Sequence, residues 1–324
     1  MLYDRIIKQG TINEPGGKPE PQFALPSTVN WMRSLRLLVE AEGIDFAKAE
    51  VFDAEPQKRA MDVLVENTVL EQLFLSLHHL SALQQFTAGV RAADYARVGI
   101  LAWYYGIANA ASAMTAAQSG SFQEDHAGTA RIWDEQIASS GFAMPPFGWR
   151  VSSLVENTYK PEVAAYKQGS IGKLTSKPTS HADAIGAAAE YLSGSAKFYA
   201  DRAKGDLVKT SQFKALKVSD FRSKAARTLR DDWLDKKAIG FVHQASRYRG
   251  KANYREALFL AYGSSTETIL TGFTEDAAVV LRAFLAMAGG FSRRKLGKRL
   301  WDEFVTDVDK KKAFTISASN VWAP

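Results

Sequence analysis

Between Asp94 and Ser119 the chain reads DYARVGILAWYYGIANAASAMTAAQS, and no other stretch restricts the fold as much. Ile100, Trp103, Ile107, Ala110, Ala111 and Met114 recur at steps of three and four, the spacing that gathers side chains on one face of an α-helix. The Ala and Gly between them are small enough for other helices to approach closely. Asp94 is expected to cap the start, and Gly120 to take the left-handed turn at the end. After that glycine, FQEDHAGTARIWDEQ opens a second, shorter helix. Asp125 and its acidic neighbours suit the positive end of that helix's dipole.

The other segments are also helical in pattern. Residues 1–26, with Pro15, Gly16, Gly17, Pro19, Pro21 and Pro26, form an irregular arm with at most a short ordered piece at 2–7. Ser27 or Thr28 is expected to cap a helix running to Glu42 and stopped by Gly43. Residues 44–54 read as a loop or short strand. Pro56 opens a long helix to about Phe86, with Val63, Leu70 and Leu77 beside Leu73 and Leu80 on one face. His78 and His79 are adjacent on that helix, so they point too far apart to chelate as a helical pair.

Residues 140–205 look like an insertion or subdomain between an N-terminal helical half (27–139) and a basic C-terminal half (206–324). Within the insertion, 151–166 is a candidate helix interrupted at Pro161. Ser180 and Asp183 fit a capping box for a helix ending at Gly205. In the C-terminal half, Ser219 is expected to cap a helix with Phe221, Ala225, Leu229 and Trp233 on one face and Arg222, Lys224, Arg227 and Arg230 on the other. Ser264 and Glu267 suggest another cap. A helix over 275–288 is expected to stop at Gly289-Gly290, and Ser292 to start the last one. The tail from Ala313 to Pro324 reads as a strand-like segment packing back. There is no internal repeat and no βαβ rhythm, so the fold class predicted is all-α, a multi-helix bundle.

The net charge of +6 is unevenly placed. Residues 1–139 hold eleven Lys/Arg against seventeen Asp/Glu, whereas residues 206–260 hold thirteen against six. The two halves can hold each other, or the basic surface can hold phosphates. With no cysteine in the chain, disulfides and thiolate metal sites are excluded. No run is long and apolar enough for a membrane span and no secretory signal is visible, so the expectation is a cytoplasmic protein with no membrane partner. No phosphate-wrapping loop, dinucleotide-binding glycine pattern, H-E-x-x-H pair or G-x-S-x-G elbow is present, and GSIGK at 169–173 is too short to wrap phosphates. No cofactor and no metal site are predicted.

The segment 243–256, HQASRYRGKANYRE, is the best candidate for chemistry. It sets Arg247, Arg249, Lys251 and Arg255 among Tyr248, Asn253 and Tyr254. Arginine forks bind phosphate in a bidentate way, and tyrosine faces stack bases. The structural alternative is a basic helix end paired with the acidic half. His126, in a helix first turn beside Asp125, either faces Arg249 in a shared site or simply completes a cap.

The helix AWYYGIANAASAM followed by the histidine-bearing start EDHAGTARIW resembles the HEPN superfamily of helical domains, over roughly residues 60–135 and 235–290. Members carry a later Arg, four to six residues, then His. Here the match is Arg249 to Tyr254, with tyrosine at the histidine position, and Ala252-Asn253-Tyr254 is similar to the motif of non-catalytic relatives. The resemblance implies RNA as partner, a metal-independent endoribonuclease chemistry, a site assembled across a symmetric homodimer, and a place in toxin–antitoxin or antiviral defence. The tyrosine puts that catalysis in doubt, because a phenol is a poor general base at neutral pH.

The first functional expectation is therefore a protein that binds RNA or another single-stranded nucleic acid. Arg249 holds phosphate, and Asn253, Tyr254 and His126 line the site. Arg247, Lys251, Arg255, Arg222, Arg227, Arg230, Arg293, Arg294 and Lys295 are flanking contacts. The second is a non-enzymatic interaction subunit of a larger complex, docking through its acidic N-terminal half, its Pro-rich arm and its apolar tail ending in Trp322. A third is DNA binding by the arginine-faced helix after Ser219.

Overall fold

The computed structural model describes residues 2–12, 15–17, 21–52, 58–87, 91–255, 258–261 and 266–323. Among these the regular secondary structure is helical, with no strand, and an isolated antiparallel bridge joins Val151 and Ile239. In chain order the α-helices are α1 (Leu2–Gln9), α2 (Pro21–Ala41), α3 (Phe46–Val51), α4 (Val63–Thr87), α5 (Ala92–Ser119), α6 (His126–Trp133), α7 (Glu156–Lys167), α8 (His181–Leu207), α9 (Ser211–Ala215), α10 (Lys224–Asp235), α11 (Phe241–Gly250), α12 (Thr266–Leu270), α13 (Phe273–Leu296), α14 (Lys298–Lys310) and α15 (Ser319–Trp322). A π-turn follows α6 (Asp134–Ala138), and another follows α11 (Lys251–Arg255).

The helix α5 runs through the centre. Ile100, Trp103, Ile107, Ala110, Ala111 and Met114 are all fully buried, and so are residues off that stripe such as Tyr104 and Ala113. Helices α4 and α13 pack along it, α6 and α11 lie across it, and α13 also covers α2, α3 and α4. Close approach depends on Gly106. A Cβ there would lie 2.7 and 2.8 Å from the two methyls of Leu281 on α13 and 3.3 Å from His79 Cβ on α4. The Ser76 hydroxyl on α4 donates to Gly106 O at 2.6 Å. Three helices thus meet at a residue without a side chain.

Several termini follow local chemistry. Gly120 ends α5 at φ 77°, Asp125 caps α6, and Ser180 with Asp183 forms the capping box of α8. Others differ from the sequence expectation. Asp94 does not cap α5; the Glu267 carboxylate accepts from the Ala92 and Ala93 amides at 2.6 and 3.2 Å, a cap supplied from 175 residues away. Ser27 and Thr28 do not start α2, which begins earlier; their hydroxyls donate back to Ala24 O inside the helix. The 44–54 stretch is not a strand: Asp45 caps the short helix α3, accepting from Lys48 N at 2.8 Å. Asp62 accepts from Val65 N at the start of α4; Pro56 and Ser264 lie outside the described residues. Helix α7 accommodates Pro161, and α8 continues through Gly205 to Leu207. Ser223 rather than Ser219 caps α10, leaving Arg222 in the preceding loop.

The glycine pair in α13 is the largest correction. The helix does not stop there: a Cβ on Gly289 would lie 2.5 Å from Trp322 Cδ1, and one on Gly290 would lie 2.7 Å from Ala49 C. The two glycines admit α15 and α3 against the helix, which ends only at Gly297, φ 90°. Ser292 is consequently a buried residue within α13 and starts no helix. The tail is a helical turn, with Trp322 1% exposed and its Nε1 donating to Leu285 O at 3.0 Å. It is core, so the exposed docking tail of the interaction-subunit reading is absent.

Side chains of α7, α8 and α10, with Val151, Leu154 and Ile239, gather in a separate apolar cluster. It joins the main body where α8 packs on α2 and α11. Trp31 on α2 stacks on Tyr191 of α8 at 4.0 Å between centroids and touches Trp103 and Tyr248. This aromatic contact fixes α8, α5 and α11 relative to one another.

Candidate functional site

Two segments far apart in sequence meet over one ring of α5. From α11, the Arg249 guanidinium lies over Tyr104, Cζ 4.8 Å from the ring centroid. From the first turn of α6, His126 sits edge-on to Tyr104 at 5.2 Å and at 59° to Tyr105 at 5.6 Å. Local sequence explains each placement. The Asp125 carboxylate accepts from Ala127 N at 2.9 Å and Gly128 N at 2.8 Å, fixing the turn that carries His126. Gly240 begins α11 with its N–H donated to His243 Nδ1 at 3.2 Å, and two and a half turns later the helix delivers Arg249 to α5.

The electrostatics favour an uncharged imidazole. Burial lowers the His126 pKa below its usual value, Arg249 lowers it further, and Asp125 opposes both. Burial raises the Tyr104 pKa, tempered by Ser246 and Arg249. Ser246 lies close enough to influence the Tyr104 hydroxyl, yet among the described residues neither that hydroxyl nor Arg249 Nε makes a well-formed hydrogen bond, although both atoms are buried. An unmet buried donor costs about 1–3 kcal/mol. The cluster therefore presents a cation, two unsatisfied polar atoms and a neutral base, with the half-exposed Tyr105 ring at its edge.

No protein-family model, no curated protein and no solved structure matches this chain.

The other basic residues singled out in the sequence are dispersed. Arg247 donates to Ser195 Oγ at 2.9 Å and lies over Tyr191 and Phe198, so it belongs to the contact with α8. Lys251 Nζ is 5.8 Å from the Tyr191 ring centroid. Asn253 is half-buried in the π-turn after α11; the side chains of Tyr254 and Arg255 lie outside those described. Arg222 pairs with Asp220 and Arg230 with Asp231, while Arg227 is exposed on α10. The run 293–295 faces α3 instead of Arg249: Arg293 pairs with Glu50, Arg294 donates to Phe52 O, and Lys295 lies against Phe291. The sequence reading missed Tyr104, Tyr105 and Ser246 as parts of the site. The signal available was two adjacent tyrosines in a helix otherwise built from Ala, Gly and aliphatic residues.

Among the described residues no group of His, Asp and Glu is placed to hold a metal, and no helix is long and apolar enough to cross a membrane. The GSIGK loop packs on the start of α8, where the Gly172 Cβ position is occupied by Asp183 backbone.

Proposed function

We propose that this protein binds single-stranded RNA at the Tyr104–His126–Arg249 cluster and cleaves it there without a metal ion, as a HEPN-like endoribonuclease of a defence or toxin system. The supporting observation is the convergence of a neutral imidazole and a guanidinium with an unmet donor on one tyrosine. In this reading His126 takes the 2′-OH proton as the 2′-oxygen attacks the adjacent phosphorus. Arg249 neutralises the charge that builds on the phosphorane oxygens. The 5′-oxygen leaves with a proton taken from water, giving a 2′,3′-cyclic phosphate and a 5′-hydroxyl, and His126 returns its proton to water. In this reading His126 takes over the role that the family resemblance gives to a histidine after Arg249. Tyr105 offers a face for a neighbouring base.

The experiment is cleavage and binding of labelled single-stranded RNA in EDTA, with single-stranded and duplex DNA alongside. Arg249→Ala is expected to abolish cleavage and weaken binding by about 10- to 100-fold, the worth of a charge-assisted phosphate contact. His126→Asn is expected to abolish cleavage while leaving affinity within about threefold, since it removes a base and no charge. RNA affinity that ignores salt, or cleavage that disappears with EDTA, would contradict the assignment. Absence of binding to any nucleic acid would favour the interaction-subunit role.

A further inference from the structure

A cleft of about 600 Å³ lies between α6 with its π-turn, α8, and the segment joining α10 to α11. Neither His126 nor Arg249 forms its walls. Its floor is a built polar array. Asp134, 3% exposed, accepts from Arg150 Nε at 3.1 Å and Nη2 at 2.9 Å. That fork leaves Arg150 Nη1 as a donor with no acceptor among the described residues. Next to it stands His243, which feels the charges of both Asp134 and Arg150. Its Nδ1 accepts from Gly240 N–H, so the neutral ring carries its proton on Nε2, which has no acceptor among the described residues. Gly240 is held to glycine by the same array, because a Cβ would sit 2.5 Å from Asp134 Oδ1. The Tyr199 hydroxyl donates to His243 O at 2.9 Å.

The rim adds unmatched charge. Arg202, Lys236 and Lys237 have no counter-ion within 4 Å among the described residues; of the rim acids, Glu135 and Asp206 are engaged by Arg131 and Lys209, and Asp235 is unpaired. Cations outnumber unpaired acids, and with the floor donors this calls for an acceptor-rich anion. The volume is several times that of a bare phosphate and lies within the range of small-ligand sites. An organic portion is required to fill it, and two flat walls are provided by Tyr199 and Trp233, the latter fixed by its Nε1 bond to Ala203 O at 3.1 Å.

We propose that this cleft is a second binding site, for a nucleoside phosphate: the phosphate against Arg150, His243 and Arg202, and the base against the aromatic walls. The ligand is either a free nucleotide or one residue of a bound strand; the recognition chemistry is the same. The proposal stands apart from cleavage at Arg249. Because α6 and α11 carry residues of both sites, a ligand in the cleft grips the two helices that position His126 and Arg249.

The test uses the full chain carrying Arg249→Ala, which disables the first site and so separates the two proposals. Calorimetric titration with 5′-AMP is expected to saturate with Kd below about 1 mM. Adenosine and inorganic phosphate are each expected to bind more weakly than the nucleotide that combines them. Adding Arg202→Ala and Lys236→Ala, both on the surface, is expected to weaken binding by about tenfold or more without changing the unfolding midpoint. His243→Asn, which keeps an acceptor for Gly240 N–H and removes the Nε2 donor, is expected to do likewise. Displacement of the nucleotide by single-stranded RNA identifies a strand as the source; simultaneous binding identifies a free nucleotide. If neither 5′-AMP nor RNA saturates in the Arg249→Ala protein, or if the cleft variants bind as well as their parent, the proposal is overturned.

Discussion

The contact at Gly106 allows a prediction whose sign depends on its neighbour. In Gly106→Ala the new methyl would lie 2.7 and 2.8 Å from the Leu281 methyls, about 1 Å inside normal carbon–carbon contact. Both residues are fully buried, so the strain has no outlet to solvent. Overpacking of this kind costs about 1–3 kcal/mol. Alanine in a helix interior recovers about 1 kcal/mol relative to glycine. The net expectation is a loss of up to about 2 kcal/mol. Leu281→Ala alone removes a buried side chain and costs about 2–5 kcal/mol. In that background the added methyl at 106 escapes the Leu281 clash, keeps only the 3.3 Å approach to His79 Cβ, fills part of the void and keeps the helix gain, so it should stabilise by about 1 kcal/mol. The double-mutant cycle thus has a coupling energy of about 2–3 kcal/mol. Urea unfolding followed by circular dichroism and by tryptophan fluorescence measures all four corners. If Gly106→Ala has the same effect in both backgrounds, the three-helix crossing is not as tight as described and the reasoning fails.

Two further expectations concern remote caps and acid. Glu267→Ala should speed hydrogen exchange at the Ala92 and Ala93 amides and lower the urea midpoint, while Asp94→Ala should leave both nearly unchanged. In the folded state burial pushes His243 down to about 4, opposed by Asp134 and reinforced by Arg150. Its folded pKa is lower than its unfolded one, so its contribution is complete above about pH 6.5 and is lost as pH falls towards 4. The full shift corresponds to about 3 kcal/mol, reduced because one edge of the ring opens on the cleft. Stability measured against pH should fall across that window and do so less steeply in His243→Asn; identical slopes would refute the assignment.

What was legible in the sequence was mostly chemistry that completes itself within a few residues. The α5 stripe, the Asp125 cap, the left-handed Gly120 and the Ser180–Asp183 box each need only near neighbours. Gly289-Gly290 misled because glycine marks both helix ends and close approaches, and the partners that decide between them, Trp322, Ala49 and Glu50, are distant in sequence. Glu267 was readable as a capping residue but not as the cap of α5. The basic run around Arg249 looked like one patch, yet helical geometry sends Arg247 to Ser195 on α8 and Arg249 to Tyr104 on α5. Arg249 and His126 were both identifiable as candidates. That they share a ring is a tertiary fact, set by how α6 and α11 cross α5.

The cap on α5 also bears on the order in which the chain acquires structure. A ribosome delivers α5 long before residue 267 exists, so the central helix emerges with its first amides unmet and its apolar circumference bare. Its other wall, α13, arrives later still, and that helix also closes over α2, α3 and α4. Contacts of such high sequence separation make vectorial folding of the first half unprofitable, and they predispose truncated chains to aggregate. The protein is consequently close to all-or-nothing during synthesis: a nascent chain halted before α13 carries both tyrosines and His126 but has no scaffold to bring them to an arginine.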